Sequence, residues 1–284
     1  MKKKIGIVGK GYVGTAMYEN FKNCFEVAVW DVVEEKRTLN SFESFVDFSD
    51  IIFVCVPTPS NEDGSCDTSI VEGVVRHIAR INKNATVVIK STVPPGTTQK
   101  LSEETGLKIA FNPEFLTEAN YIQDFRHQQL IVVGTDDEET SEKVWSVYYE
   151  YVVSAGYMPL MKGVTTKEAE MFKYLANCFL ATKVIFANEF KILCDKINVD
   201  YRKVAELAAN DSRLGATHWK VPGPDGKLGF GGSCFPKDSA AMIAFSDQVG
   251  SALWLLTEAT YINDELRNSD MYESLRAVDG NKNK

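Results

Sequence analysis

Short runs of β-branched and apolar residues alternate with amphipathic stretches from the start of the chain to about residue 160. That alternation is expected of a parallel sheet covered by helices on both faces. The runs are Lys4–Gly9, Glu26–Trp30, Ile51–Val56, Thr86–Lys90, Lys108–Phe111 and Leu130–Gly134. Between them the apolar spacing predicts helices such as Tyr12–Asn23, Thr68–Ile81 and Glu138–Tyr151, giving a doubly wound sheet of six or more strands. After Gly163 the pattern changes. Thr165–Lys196 contains no Gly or Pro and reads as one long helix, and Asp200–Ala209 as a second. A Gly/Pro-rich loop, Val221–Gly232, is followed by two helices from Pro236 to about Arg267. The expected fold class is therefore α/β, with a doubly wound parallel sheet over residues 1–162 and an all-helical central domain over 163–284. The tail Asp279–Lys284 is expected to fray. The long helix carries apolar residues around most of its circumference, among them Leu175, Phe179, Leu180, Val184, Ile185 and Phe190. Burial of such a helix is most easily completed by a second subunit, so a homodimer formed through the helical half is expected.

Composition adds exclusions to this picture. With 284 residues, 44% of them hydrophobic and 25% charged, the chain can build two domains with a real core. Its net charge of −8 argues against nucleic acid or an anionic membrane as the main partner. An anionic small substrate would need local positive groups. The six cysteines are far apart, without a Cys-x-x-Cys pair or a His cluster, so neither a zinc site nor a disulfide framework is expected. The N-terminal apolar run, broken by Gly9 and Gly11, is too short for a signal peptide or a membrane span. A reducing cytoplasm is the expected compartment.

Gly9-Lys-Gly11-Tyr12-Val13-Gly14 directly follows an apolar strand and opens a helix. In that context the glycines allow a tight turn and close approach of a pyrophosphate to the free N–H groups of a helix N-terminus, as in a Rossmann-like dinucleotide fold. The next strand ends at Asp31, 17 residues beyond Gly14, where a carboxylate can accept from both adenosine ribose hydroxyls and repel a 2′-phosphate. NAD is thus expected rather than NADP, with Lys36 and Arg37 close enough to leave the second open.

Three further clusters carry candidate chemistry. In Phe230-Gly-Gly-Ser-Cys-Phe-Pro-Lys-Asp238, Pro236 suits a first helical turn, which places Cys234 at a helix N-terminus with Lys237 nearby. Dipole and ammonium both favour a thiolate, and Asp238, four residues on, can handle a proton; inert packing is the alternative. In Phe111-Asn-Pro-Glu-Phe-Leu-Thr-Glu118, Asn112 can cap and Pro113 start a helix that brings Glu114 and Glu118 to one face. Those carboxylates can do acid/base work or simply favour the helix dipole. On the long helix, Lys173 and Asn177 stand at i and i+4, either as an oxyanion clamp or as a lysine snorkelling to solvent beside an amide. Val56-Pro-Thr58-Pro59 and Ser91-Thr92-Val-Pro-Pro-Gly-Thr-Thr98 are loops after strands of the same sheet, where a dinucleotide would lie. His77, His127 and His218 have no metal or triad spacing.

Taken together, these motifs resemble the UDP-glucose/GDP-mannose dehydrogenase family, in particular its UDP-glucose 6-dehydrogenase branch, from Lys4 to about Arg267. The resemblance implies NAD-dependent, four-electron oxidation of the C6 hydroxyl of a nucleotide sugar through a thiohemiacetal and a thioester on Cys234. It implies that Lys173 and Asn177 stabilise an oxyanion, and that Asp238, a Thr92-held water and Glu118 move protons. Glu114, Phe115, Leu116, Thr117 and Gly231 would join Lys173 and Asn177 around the substrate; Tyr12, Val13, Asp31, Lys36, Thr58, Thr92, Glu118 and Lys237 would join the glycines around NAD. The family's C-terminal UDP-binding domain has no counterpart here, so the expectation is of a chain that is naturally minimal, shortened, or completed by another polypeptide. The loop between Arg213 and Cys234 is longer than in short relatives, so its substrate contacts do not carry over. GDP-mannose and UDP-N-acetylmannosamine oxidation would use the same parts. A non-catalytic NAD-binding remnant that needs a partner is the remaining alternative.

Overall fold

The computed structural model of the chain describes residues 2–268; the tail expected to fray lies outside the described residues. Seven strands form one sheet: β1 (Lys4–Val8), β2 (Glu26–Trp30), β3 (Ile51–Val54), β4 (Thr86–Ile89), β5 (Lys108–Phe111), β6 (Leu130–Gly134) and β7 (Leu160–Val164). Their order is β2-β1-β3-β4-β5-β6-β7, and neighbours run parallel except at β5–β6, where Phe111 faces Gly134 in an antiparallel pair.

The continuous apolar runs follow from burial on both faces. Side chains alternate across a strand, so Ile52 and Val54 enter one core while Ile51 and Phe53 enter the other. The first core is closed by α2 (Phe42–Phe48), α3 (Ser69–Ile81) and α4 (Thr97–Thr105) through Phe45, Val75 and Leu101. The second is closed by α1 (Tyr12–Phe21), α5 (Tyr121–Arg126) and α6 (Glu138–Ala155). At its centre the ring of Phe21 meets those of Phe25, Phe53, Phe125, Tyr148 and Tyr151 edge-on, at centroid distances of 5.1–6.1 Å. Phe21→Ala is accordingly expected to cost about 3–5 kcal/mol of stability, read as a lower urea midpoint with an unchanged slope; a loss under 1 kcal/mol would mean that the cluster repacks.

The chain divides into two compact units. One holds the residues up to Pro59 and Cys66–Lys173; the other holds Ser60–Ser65 and the chain from Tyr174 onward. The division therefore falls inside α7 (Thr166–Lys196), and the expected border at 162/163 would instead cut β7. The hydrophobic pattern does not announce β7, because it is an edge strand, Leu-Met-Lys-Gly-Val, that stays half-exposed.

Among its described residues the second unit is helical: most of α7, then α8 (Tyr201–Asn210), α9 (Phe235–Gln248) and α10 (Trp254–Arg267). Its core gathers Ala181, Ile185, Phe230, Ala259 and Leu266. Not all of α7 is buried in the single chain. Leu175, Phe179, Phe186, Phe190, Leu193 and Ile197 recur at three-, four- and seven-residue steps and form an exposed stripe, with Phe179 62% and Ile197 61% accessible.

Candidate active site

Gly9 follows β1 with a φ of +90°, and a Cβ there would stand 2.6 Å from the carbonyl oxygen of Cys55. At Gly14, inside α1, a Cβ would fall 1.9 Å from the carbonyl oxygen of Gly9. Gly9 therefore lets the turn pack on the chain leaving β3, and Gly14 lets α1 pack directly on the turn. Gly11 differs: it is the N-cap of α1, has no side-chain cap, and a Cβ there would meet nothing within 4 Å. The space beside Gly11 at the helix N-terminus is thus free and no side chain caps it, an environment suited to a pyrophosphate. Beside it lies a cleft of roughly 580 Å³, walled by the glycine turn, Asp31, Lys36, Pro57, Ile70 and His77.

Asp31 is buried at the end of β2, and its carboxylate already accepts from the backbone N–H of Lys10 at 2.6 Å and of Val33 at 2.9 Å. It therefore holds the glycine turn as well as facing the cleft. Arg37 is committed elsewhere: its guanidinium donates to the carbonyls of Asp31 (2.7 Å) and Val32 (3.1 Å) and lies 4.3 Å over the ring of Trp30. Lys36 reaches the Lys10 carbonyl at 3.3 Å. A 2′-phosphate would meet the Asp31 charge with only Lys36 to offset it. Asp31→Ala is expected to weaken NAD binding and narrow the preference over NADP, measured by calorimetric titration; equal wild-type affinities for the two would overturn this assignment. Tyr12 is exposed and edge-on to Tyr121, Val13 is half-buried, and Thr58 and Thr92 lie on the loops after β3 and β4, the first buried.

The segment after β5 departs from expectation. Residues 112–117 form no helix, and 118–120 make a turn before α5, so Glu114 and Glu118 do not share a helical face. Local hydrogen bonds compete with helix formation here. Glu114 Oε2 accepts from the N–H of Leu116 at 2.8 Å, and Asp124 accepts from both the N–H and hydroxyl of Thr117 at 2.8 and 2.5 Å. Asn112 does not cap. Its amide donates to the Val132 carbonyl at 2.6 Å, while its Oδ1 accepts from the Tyr148 hydroxyl and from Lys90 Nζ, the latter at 2.6 Å. Glu118 is exposed.

Lys173 is buried rather than snorkelling. Its Nζ donates to the Glu114 carbonyl at 2.5 Å and to Oε1 at 3.0 Å, and lies 5.2 Å from the Phe115 ring centroid. Burial would raise the Glu114 carboxyl, but the Lys173 ammonium, helped by the Leu116 N–H, outweighs it and holds the group below the usual carboxylate range. Lys90 is the functional candidate that the sequence reading missed. It is 3% exposed, and burial pushes it down to about 8. A lysine closing an apolar strand ordinarily reads as a solvated end; the signal was its position at the carboxyl edge of a central strand.

In the helical unit Cys234 is the N-cap of α9, Pro236 lies in the first turn, and the thiol is exposed, 3.6 Å from the Ser233 hydroxyl. By contrast, burial pushes the thiols of Cys55 and Cys178 up to about 12, which makes them poor nucleophiles. Asp238 is buried, and its carboxylate accepts from Asn177 Nδ2 at 2.6 Å and from Lys237 Nζ at 2.5 Å. Lys237, expected to support the thiolate, gives its ammonium to that carboxylate instead, and the Asn177 amide is likewise engaged. The loop before Cys234 is clamped: Gly229 and Phe230 donate to Asn188 (3.1 Å) and Asn263 (2.6 Å), and Arg267 lies so close over Gly231 that a Cβ there would meet it at 2.6 Å. Among the described residues no His, Cys, Asp and Glu group could hold a metal, and no helix is long and apolar enough to cross a membrane.

Residues 31–152 match the family model described as UDP-glucose/GDP-mannose dehydrogenase family, NAD binding domain, and residues 167–265 match that family's central domain. The chain is 34% identical over 249 residues to UDP-glucose 6-dehydrogenase YwqF of Bacillus subtilis, covering 84% of this chain and 54% of that one. It is 32% identical to UDP-glucose 6-dehydrogenase AglM of Haloferax volcanii, with 92% and 69% covered. Thus the chain spans about half to two thirds of the length of these curated relatives. Among solved structures, a UDP-glucose dehydrogenase from the archaeon Pyrobaculum islandicum superposes with a TM-score of 0.83 at 30% identity, covering 93% of this chain and 68% of that one.

Proposed function

Because this chain belongs to the UDP-glucose/GDP-mannose dehydrogenase family, we propose that it oxidises the C6 hydroxyl of a nucleotide sugar, UDP-glucose in the first instance, to the carboxylate. The observation that carries this reading is the exposed thiol of Cys234 at the N-terminus of α9, one helical turn from the buried carboxylate of Asp238. NAD, when bound, is the hydride acceptor. The N-terminus of α1 at Gly11 would receive its pyrophosphate and Asp31 its adenosine ribose; Thr58, Thr92, Glu118 and Lys237 would complete the cofactor's surroundings. Lys173 and Asn177 stabilise the developing oxyanion. Cys234 Sγ adds to the C6 aldehyde left by the first oxidation, so the carbon stays bound until the second. Water held by Thr92 then cleaves the thioester, restoring the thiol and releasing the acid, with Asp238 and Glu118 assisting proton transfer. Phe115, Leu116, Thr117 and Gly231 line the sugar.

NADH production across a panel of UDP- and GDP-sugars tests the proposal, with the acid quantified alongside. Two NADH per acid are expected, and one NADH with free aldehyde would reject the covalent double oxidation. The exposed stripe on α7 supports a two-fold dimer through the helical unit, since an apolar face of this length is rarely left wet. Light scattering should give about 63 kDa, twice the 31.7 kDa of one chain; a monomer at working concentration would defeat the dimer.

A further inference from the structure

The ammonium of Lys90 is buried. Its contacts are uncharged oxygens, Oδ1 of Asn112 at 2.6 Å and the Asn112 carbonyl at 3.2 Å. Burying a lysine against neutral acceptors is expensive, and an uncharged side chain of similar length would fill the same space without that cost. What the ammonium does is set by the groups it faces. The ionisable groups around it are the Cys55 thiol after β3, Glu114 after β5, and Lys173 on α7, while Tyr148 of α6 shares its acceptor. Asn112 ties these elements together. Its backbone N–H donates to the Ile89 carbonyl at 2.9 Å and its side-chain amide to the Val132 carbonyl on β6, while Lys90 and Tyr148 converge on Oδ1. Two residues later the chain presents Glu114, whose carboxylate and carbonyl both receive the Lys173 ammonium.

We infer that Lys90 is a positioning residue of the reacting centre: by clamping Asn112 at the carboxyl edge of the sheet, it fixes the turn that presents Glu114 to Lys173. Lys90 need not touch substrate; it acts through that pair. The inference rests on the oxidation proposed above, and it predicts a separation of effects. The cleft beside the glycine turn is walled by the ends of β1, β2 and β3 and by α3, and none of Lys90, Asn112 and Glu114 lines it, so losing the clamp should change cofactor affinity far less than turnover. Chemistry should suffer, because small displacements of a charged group at a reacting centre cost rate steeply.

The test uses the full chain with NAD and UDP-glucose, comparing wild type, Lys90→Met, Tyr148→Phe and the double variant. Lys90→Met is expected to lower kcat by roughly ten- to a hundredfold with a much smaller change in the KM for NAD, and Tyr148→Phe to lower kcat by less. The two losses should combine to less than their product, because both act on one acceptor. Hydrogen exchange should quicken at the amides of Glu114–Thr117 and stay unchanged in β1 and β2. A wild-type kcat in Lys90→Met, losses that multiply fully, or unchanged exchange at Glu114–Thr117 would each overturn the inference. If Lys90→Met fails to fold, Tyr148→Phe carries the same comparisons. If wild type oxidises no nucleotide sugar, the proposed function fails, and exchange at Glu114–Thr117 alone decides whether Lys90 positions the turn.

Discussion

Gly14→Ala is expected to cut NAD affinity by on the order of a hundredfold and to lower the melting temperature, although alanine is the better helix former by about 1 kcal/mol. The added Cβ would stand 1.9 Å from the Gly9 carbonyl oxygen, a backbone atom that cannot swing aside. The whole N-terminus of α1 must therefore move. A pyrophosphate seated there would depend on several charge-assisted hydrogen bonds, and losing two at about 1.5 kcal/mol each gives the stated factor. Gly11→Ala is the informative contrast, since a Cβ there meets nothing. Its fold should be intact, because the residue is an N-cap in open space, while the methyl group occupies the cofactor's approach. Calorimetric titration and thermal melts on both variants separate the effects: Gly14→Ala should lose binding and stability together, Gly11→Ala binding alone. Wild-type NAD affinity in Gly11→Ala would remove the pyrophosphate from this turn.

That pair of glycines also shows why the cofactor half was readable from the chain alone. The spacing Gly9, Gly11, Gly14 after an apolar strand encodes a local geometry, and local geometry is what sequence spacing reports best. The central strands were legible for a related reason, because burial on both faces leaves β3 and β4 almost wholly apolar. Strand β7 escaped because an edge position tolerates Lys162 and Gly163. At the candidate site the limit was tertiary. Glu114 and Glu118 have the spacing of a helical pair, yet Asp124 captures Thr117 and Asn112 is occupied by Lys90 and Tyr148. Lys90 and Asn112 are 22 positions apart, and no periodicity joins them. Likewise Lys237 sits one turn beyond the thiol, but the carboxylate of Asp238 takes its ammonium.

Cys234→Ser should abolish acid formation while leaving the protein at least as stable, and that combination makes it the decisive variant. Cys234 makes no side-chain cap bond that the exchange could remove and its thiol is exposed, so the start of α9 should hold, and a melting temperature no lower than wild type is the expected control. The chemistry moves the other way. An exposed hydroxyl is a far weaker nucleophile than a thiol at a helix N-terminus, and an ester releases its acyl group more slowly than a thioester. Turnover to the acid should fall by on the order of a thousandfold or more. The first oxidation does not require the thiol, so residual single oxidation or a persistent acyl adduct on the serine is expected. Intact-mass spectrometry after incubation with NAD and UDP-glucose would locate that adduct within the peptide carrying Cys234→Ser. Two NADH per sugar at the wild-type rate in this variant would require the covalent mechanism to be abandoned, and would leave Cys234 as an N-cap without a chemical role.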